Sequence, residues 1–387
     1  MRLLLPCLFL FVGFSGFAQN LTGGFTYDGE ARTYNVFLPE AYAPGVSLPL
    51  VINLHGFGSD AGEQRSYSGM NLVADTAGYL VVYPQGLNRQ TSFGGSGNSW
   101  NAGFGTEVDD VGFLSELIDR LWTTYDIDLS RVYATGMSNG GYMSYELACS
   151  LSDRIAAIAS VTGSMTLETF SDCAPERPVP VLQFHGTADL VVPYNGIPPF
   201  SRPLEEVIDY WTTHNACPAA ADTIEVADSN PNDGSTVTHY VYSDCAAATA
   251  VEFYKINGGG HTWPGAFPLP FGSTNQDIRA TPLILEFFGR HTHPAPRAGT
   301  TLTATREPAG LRPLAITPNP TDGPLQLTLP QDGPMTLEVL ATTGRRMYAA
   351  RHTGASTLLD LSAYPPGIYL LRLRYPNGSY LRRLVRQ

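Results

Sequence analysis

Outside its first twenty residues, the 387-residue sequence has no run of about 18 apolar residues, the minimum for a membrane-spanning helix. No span is therefore expected in the mature chain. Positive charge is scarce: 23 Lys and Arg face 35 Asp and Glu, for a net charge of −12. Nine of those arginines, against four acids, fall in residues 309–387, which leaves −17 on the rest. An acidic body of that kind repels nucleic acid and anionic membrane, and neither is expected as a partner. Cysteine is sparse as well. Five are present, and no CxxC or HxxxH accompanies them, so no zinc site and no cofactor is expected.

The longest apolar run is at the start. "MRLLLPCLFLFVGFSGFAQN" carries one Arg, a short apolar stretch and small residues near Gly16 and Ala18, the layout of a secretory signal peptide over residues 1–18. Export would remove Cys7 and leave Cys149, Cys173, Cys217 and Cys245 in an oxidising compartment, where an even count favours two disulfides. Four cysteines allow three pairings. Joining Cys149 to Cys173 and Cys217 to Cys245 closes the shortest loops and is the expected arrangement.

Residues 24–40 predict an antiparallel hairpin. "LPLVINLHG", "YLVVYPQG", "RVYATG", "IAAIASVTG", "VPVLQFHG" and "AVEFYKING" are apolar runs of strand length, several of them ending at glycine. Helical spacing over 109–124, "GGYMSYELACSL" and "TPLILEFFGRH" separates or follows them. Alternating strands and helices imply a mostly parallel sheet covered on both faces, with ligands bound beyond the carboxyl ends of the strands. Around 291–313 the pattern gives way to Pro, Ala, Thr and Gly; the linker proper is placed at 297–311. His291 and His293 are read as part of that stretch. Beyond it, short strands between turns predict a small all-β sandwich over 312–387.

Ser138, in "GMSNGGYMS", follows a strand and opens a helix, the setting in which G-x-S-x-G presents a nucleophile. Asp189, in "FHGTADLVVPY", and His261, in "INGGGHTWPG", each lie just past a strand. The order Ser, Asp, His is that of an α/β-hydrolase triad: His261 takes the Ser138 proton and Asp189 holds the imidazole. The backbone N–H groups of Phe57, in "LHGFGSD", and Asn139 are the candidate oxyanion donors. His55 reads as a residue that orients the Phe57 loop. Asp109 and Asp110 read as carboxylates favoured at a helix N-terminus. The glycine-rich stretch 86–106 reads as an irregular loop that shapes the pocket. Trp100 and Trp263 are candidates for lining an acyl or sugar cleft, with core packing as the other reading of both.

Taken together, "LHGFGSD", "SWNAG", "DDVGFL", "GMSNGGYMS", "FHGTADLVVPY" and "GGGHTWPG" resemble the secreted esterases grouped with polyhydroxybutyrate depolymerases, feruloyl esterases and acetyl xylan esterases. The resemblance spans about 24–292 and implies an α/β-hydrolase domain, placed at 19–296, that cleaves carboxylic esters without a metal. It carries the triad onto Ser138, Asp189 and His261. "PNPTDG", "TTGRRM", "LDLSAYPPGIYLLRL" and "RRLVRQ" resemble the C-terminal sorting domain of type IX secretion cargo, over 312–387. That implies the secretion machinery as a partner and an extracellular or cell-surface location. The substrate this points to is a feruloyl or acetyl ester of plant polysaccharide. Rival readings are a polyester depolymerase, a serine peptidase on the same fold and an inactive surface-binding protein. For the tail, the rival is a carbohydrate-binding sandwich.

Overall fold

The computed structural model describes residues 18–387 except 44, 92–94, 105–107, 300–313, 330–332, 342–345 and 376–377. The expected signal segment, up to residue 17, and most of the expected linker lie outside the described residues.

The first part of the chain builds one ten-stranded sheet. Its strands are β1 (Gln19–Tyr27), β2 (Glu30–Leu38), β3 (Leu48–Leu54) and β4 (Leu80–Pro84), then, after a separate antiparallel hairpin of β5 (Leu87–Thr91) and β6 (Gly95–Ser99), β7 (Ile127–Met137), β8 (Ala157–Val161), β9 (Val181–Gly186), β10 (Asp222–Glu225), β11 (Thr236–Tyr242) and β12 (Val251–Asn257). The order across the sheet is β1-β2-β4-β3-β7-β8-β9-β12-β11-β10. The six central strands, β4 to β12, run parallel, and the two strands at each edge pair antiparallel. The helices are α1 (Ala61–Ser68), α2 (Met70–Ala77), α3 (Asp110–Tyr125), α4 (Asn139–Ser150), α5 (Leu167–Asp172), α6 (Leu204–His214) and α7 (Ala280–Gly289).

Strand side chains alternate between the two faces. Leu50, Ile52 and Leu54 of β3, Val132 and Ala134 of β7 and Ile158 of β8 join one core layer with α3, α4 and α6. Val51, Val81, Tyr133, Ala157 and Ala159 join the other with α1, α2 and α7. Because both faces are covered, the central strands read as continuous apolar runs rather than as alternation. On α3, Phe113, Leu114, Leu117, Ile118 and Leu121 form the buried stripe that their spacing predicts.

The two aspartates at the start of α3 divide the work there. Asp109 caps the helix, accepting the N–H of Gly112 at 2.7 Å. Asp110 is buried and paired with Arg32 at 2.6 Å, whose guanidinium also lies 3.7 Å over the Phe113 ring. Disulfides join Cys149 to Cys173 and Cys217 to Cys245, across sequence separations of 24 and 28 residues. By loop-closure entropy, each stabilises the fold by about 3.5 kcal/mol.

Two expectations need correction. The stretch 86–106 is not wholly irregular, since β5 and β6 pair from Leu87↔Ser99 to Thr91↔Gly95. Strands of Asn, Gln, Gly and Ser carry no apolar period, so backbone pairing alone defines them. His291 and His293 are not linker residues in character either. They are 7% and 5% exposed; the His291 carbonyl accepts from Tyr133 Oη at 2.7 Å, and His293 Nε2 lies 2.8 Å from the Ser152 carbonyl. They anchor the end of this body.

The C-terminal strands are β13 (Ala315–Thr317), β14 (Pro324–Thr328), β15 (Met335–Ala341), β16 (Arg346–His352), β17 (Ser356–Asp360), β18 (Gly367–Tyr375) and β19 (Gly378–Arg386). They form a three-stranded sheet, β13-β14-β17, and a four-stranded sheet, β16-β15-β18-β19. Leu325, Leu327 and Leu359 of the first share one core with Leu337, Val339 and Leu371 of the second, as the inner faces of a sandwich do. Among the described residues, no helix is long and apolar enough to cross a membrane.

Candidate active site

Strand β7 runs directly into α4, and the residue at the junction is Ser138, at φ 55° and ψ −121°. A non-glycine residue in such a conformation carries about 1–3 kcal/mol of strain and persists only where its surroundings impose it. They do: the Ser138 N–H donates to the Val161 carbonyl at 2.9 Å, and its carbonyl accepts from Tyr142 N–H at 3.0 Å. The two flanking glycines are sterically required. A Cβ on Gly140 would lie 2.2 Å from the Leu54 carbonyl oxygen, and one on Gly136 would lie 2.5 Å from Gly140. Any side chain there would push α4 off the end of β3.

The loop after β3 faces this turn. A Cβ on Gly56 would stand 3.4 Å from Ser138 Cβ, so the Gly56–Phe57 peptide passes beside the serine. Among the described residues, the N–H of Phe57 has no protein acceptor. Asn139 is the first residue of α4, where N–H groups have no partner within the helix.

Asp189 and His261 follow β9 and β12, neighbours in the sheet and parallel to β7. All three residues therefore leave the same edge. His261 Nδ1 donates to Asp189 Oδ2 at 2.7 Å, while Asp189 Oδ1 accepts the N–H groups of Val191 and Val192, both at 2.8 Å. The Asp189 charge reaches Tyr142, one turn into α4, and helps raise its phenol above the ordinary value, behind the larger effect of burial.

Sequence reasoning gave no role to His185. It is fully buried, with Nε2 2.8 Å from the Val192 carbonyl and 3.6 Å from Asp189 Oδ2. It packs against the carboxylate and pins the loop that carries it. The signal was present: Gln183 and His185 are two polar residues at alternate positions of an otherwise apolar strand.

The tryptophans correct an expectation. Trp100 and Trp263 are each 1% exposed and line no open cleft. Trp100 Nε1 donates to the His55 carbonyl at 3.0 Å, and Trp263 Nε1 to Thr281 Oγ1 at 3.0 Å. An indole buries a large ring once its single N–H finds an acceptor, and both have done so. The large apolar side chains exposed on the loops after β3, β9 and β12 are others: Phe57, Leu190, Val191, Phe267 and Phe271.

Several histidines are held neutral. Burial lowers the pKa of His55, His185 and His293, and brings His291 down to about 4, with the Arg290 charge adding to the effect. An unfolded imidazole titrates near about 6.5. Each of these groups therefore takes up a proton on unfolding at any pH between that value and its folded one. Their contribution to stability is complete above about pH 6.5 and is lost progressively as the pH falls below it, for His291 down to about 4, at about 1.4 kcal/mol per pH unit for each proton. Thermal unfolding of the full chain is expected to show a melting temperature that is flat from pH 8 to 7 and falls steeply from pH 6.5 to 5. A flat profile down to pH 5 would contradict the neutral-histidine core.

Comparison with known proteins agrees with this architecture. Residues 32–177 match the family described as "Esterase PHB depolymerase", and residues 315–387 match "Secretion system C-terminal sorting domain". The chain is 31% identical over 251 residues to the "Bifunctional acetylxylan esterase/xylanase XynS20E" of Neocallimastix patriciarum, aligning 65% of this chain with 33% of that protein. It is 30% identical over 278 residues to the "Putative esterase NocK" of Nocardia uniformis subsp. tsuyamanensis, aligning 67% of this chain with 79% of that one. To the "Feruloyl esterase B" of Piromyces equi it is 31% identical over 241 residues, 59% of this chain and 42% of that protein. The chain thus spans less than half the length of two of these relatives and most of the third. On an α/β-hydrolase sheet with this strand order, and with these matches, the chain belongs to the PHB depolymerase family of esterases and carries a secretion-system sorting domain at its C-terminus.

Proposed function

We propose that residues 19–296 form a secreted serine carboxylic-ester hydrolase, joined by a linker at 297–311 to the sorting domain at 312–387. The observation that carries this reading is the 2.7 Å hydrogen bond from His261 Nδ1 to Asp189, at the strand edge that also presents the strained Ser138. With Nδ1–H committed to the carboxylate, Nε2 is free to act as base. Ser138 Oγ attacks the ester carbonyl carbon as His261 takes its proton. The oxyanion meets the N–H groups of Phe57 and Asn139. Collapse expels the alcohol, which takes that proton from His261, and water then releases the acid from the acyl-enzyme by the same steps.

The substrate this reading favours is a feruloyl or acetyl ester of plant polysaccharide, in keeping with the names of the acetylxylan and feruloyl esterase relatives. One feature favours a second reading. Leu190 is 90% exposed beside Asp189, and Phe267 is 58% exposed in the His261 loop. Apolar side chains of that size at a site rim suit an apolar ester, such as a hydroxyalkanoate polyester. The sorting domain supports export to the extracellular space or the cell surface.

The test is hydrolysis by the full chain of methyl ferulate, acetylated xylan, short p-nitrophenyl esters and a hydroxybutyrate oligomer, with a fluorophosphonate label to report the serine. Turnover of ferulate or acetylated xylan, with the label on Ser138, is the expected result. Preference for the oligomer would favour the polyester reading. No turnover and no label would leave an inactive surface-binding protein.

A further inference from the structure

Three buried side chains tie the two proposed oxyanion donors to each other. Asn139 Oδ1 accepts the backbone N–H of Trp100 at 2.7 Å, and Asn139 Nδ2 donates to the Trp100 carbonyl at 3.1 Å. Trp100 Nε1 donates to the His55 carbonyl at 3.0 Å, with the two rings 5.0 Å apart. His55 Nε2 accepts the Gly86 N–H at 2.9 Å. That bond requires the proton on Nδ1, which lies 2.8 Å from the Gly56 carbonyl and donates to it. The exposures of Asn139, Trp100 and His55 are 5%, 1% and 0%, so water does not compete for these bonds.

The last bond matters most. The Gly56 carbonyl and the Phe57 N–H belong to one planar trans peptide and point in opposite directions. Fixing that carbonyl therefore aims the Phe57 N–H. From that peptide the chain of bonds runs through His55 and Trp100 to the side chain of Asn139, whose own N–H is the second donor. Asn98 adds a brace: its carbonyl accepts from Gly58 N–H at 2.9 Å, and its Nδ2 donates to the Ser59 carbonyl at 2.9 Å.

We infer that His55, Trp100 and the Asn139 side chain are positioning residues that set the spacing and aim of the two oxyanion donors before substrate arrives. This rests on the proposed esterase reading and goes beyond it, since none of these side chains needs to touch substrate. A preorganised donor pair acts on the charge that develops at the transition state and hardly on the ground state. The effect of loosening it therefore falls on kcat.

The experiment uses the full chain with Trp100→Phe, which keeps a buried ring and removes one N–H, and Asn139→Ala, which keeps the backbone donor and removes the clamp. Each is expected to lower kcat by about 10- to 100-fold, the scale of a small misplacement, with KM within about twofold. Affinity for a boronic acid, which becomes tetrahedral on the serine, should fall by the same factor, while affinity for the carboxylic acid product stays unchanged. Because both variants cut one chain of bonds, the double variant should be little worse than the worse single. If either fails to fold, as judged by its thermal transition, the other carries the test. Unchanged kcat, a KM effect alone, or parallel loss of boronate and product binding would overturn the inference. An unmutated chain that turns over no ester would instead overturn the proposed function.

Discussion

Replacing Ser138 by alanine is expected to lower ester turnover by about 10⁶-fold, the loss typical of removing a serine nucleophile whose partners act as a unit. The residue contributes little else to the structure. Its backbone bonds to Val161 and Tyr142 do not involve the hydroxyl, and alanine meets the same backbone conformation with a Cβ of the same kind. Melting temperature should therefore change little while kcat collapses. The measurement is single-turnover kinetics on the best ester of the panel, beside thermal unfolding of both proteins. A variant that keeps even a hundredth of the turnover would show that another group attacks the ester.

Asp189→Asn is expected to lower kcat by about 10⁴-fold, through the tautomer of His261. The reason lies in the two backbone donors that hold Asp189 Oδ1, from Val191 and Val192. They require an oxygen. The new amide must keep its carbonyl toward them and turn its NH₂ toward His261. That group can only donate, so Nδ1 must accept and the ring proton moves to Nε2, where a base is needed. Substrate affinity should hardly change. Raising the pH would not restore the rate, because the amide facing Nδ1 keeps the ring proton on the wrong nitrogen. The readouts are the pH–rate profile and the ring nitrogen shifts by NMR. A variant with kcat within tenfold of the parent would show that Asp189 does not govern the tautomer.

Much of this was legible in the chain itself, for physical reasons. The central strands are buried on both faces, so they stand out as unbroken apolar runs. The bends after β3, β7 and β12 need glycine where backbones nearly touch, as at Gly136 and Gly140, so the turns that carry the candidate residues are marked. The hairpin of β5 and β6 was not legible, because its residues bury no apolar face. Nor was the place of Trp100. Composition tells that an indole seeks burial and one acceptor, not which carbonyl supplies it, and that carbonyl belongs to His55, 45 residues earlier. The burial of His291 and His293 was hidden by the prolines and threonines around them.

The sheet divides the molecule's tasks in a way that bears on its capacity to change. Ser138, Asp189, His261 and Phe57 all lie past the ends of strands whose own side chains are sealed in two core layers. Leu190, Phe267 and Phe271, on the loops that carry Asp189 and His261, are half exposed or more, and exchanges at such positions usually alter stability by no more than about 0.5 kcal/mol. On the proposed reading, a lineage carrying this chain can therefore sample new acyl groups and alcohols by altering these loop residues one at a time, with each intermediate still folded.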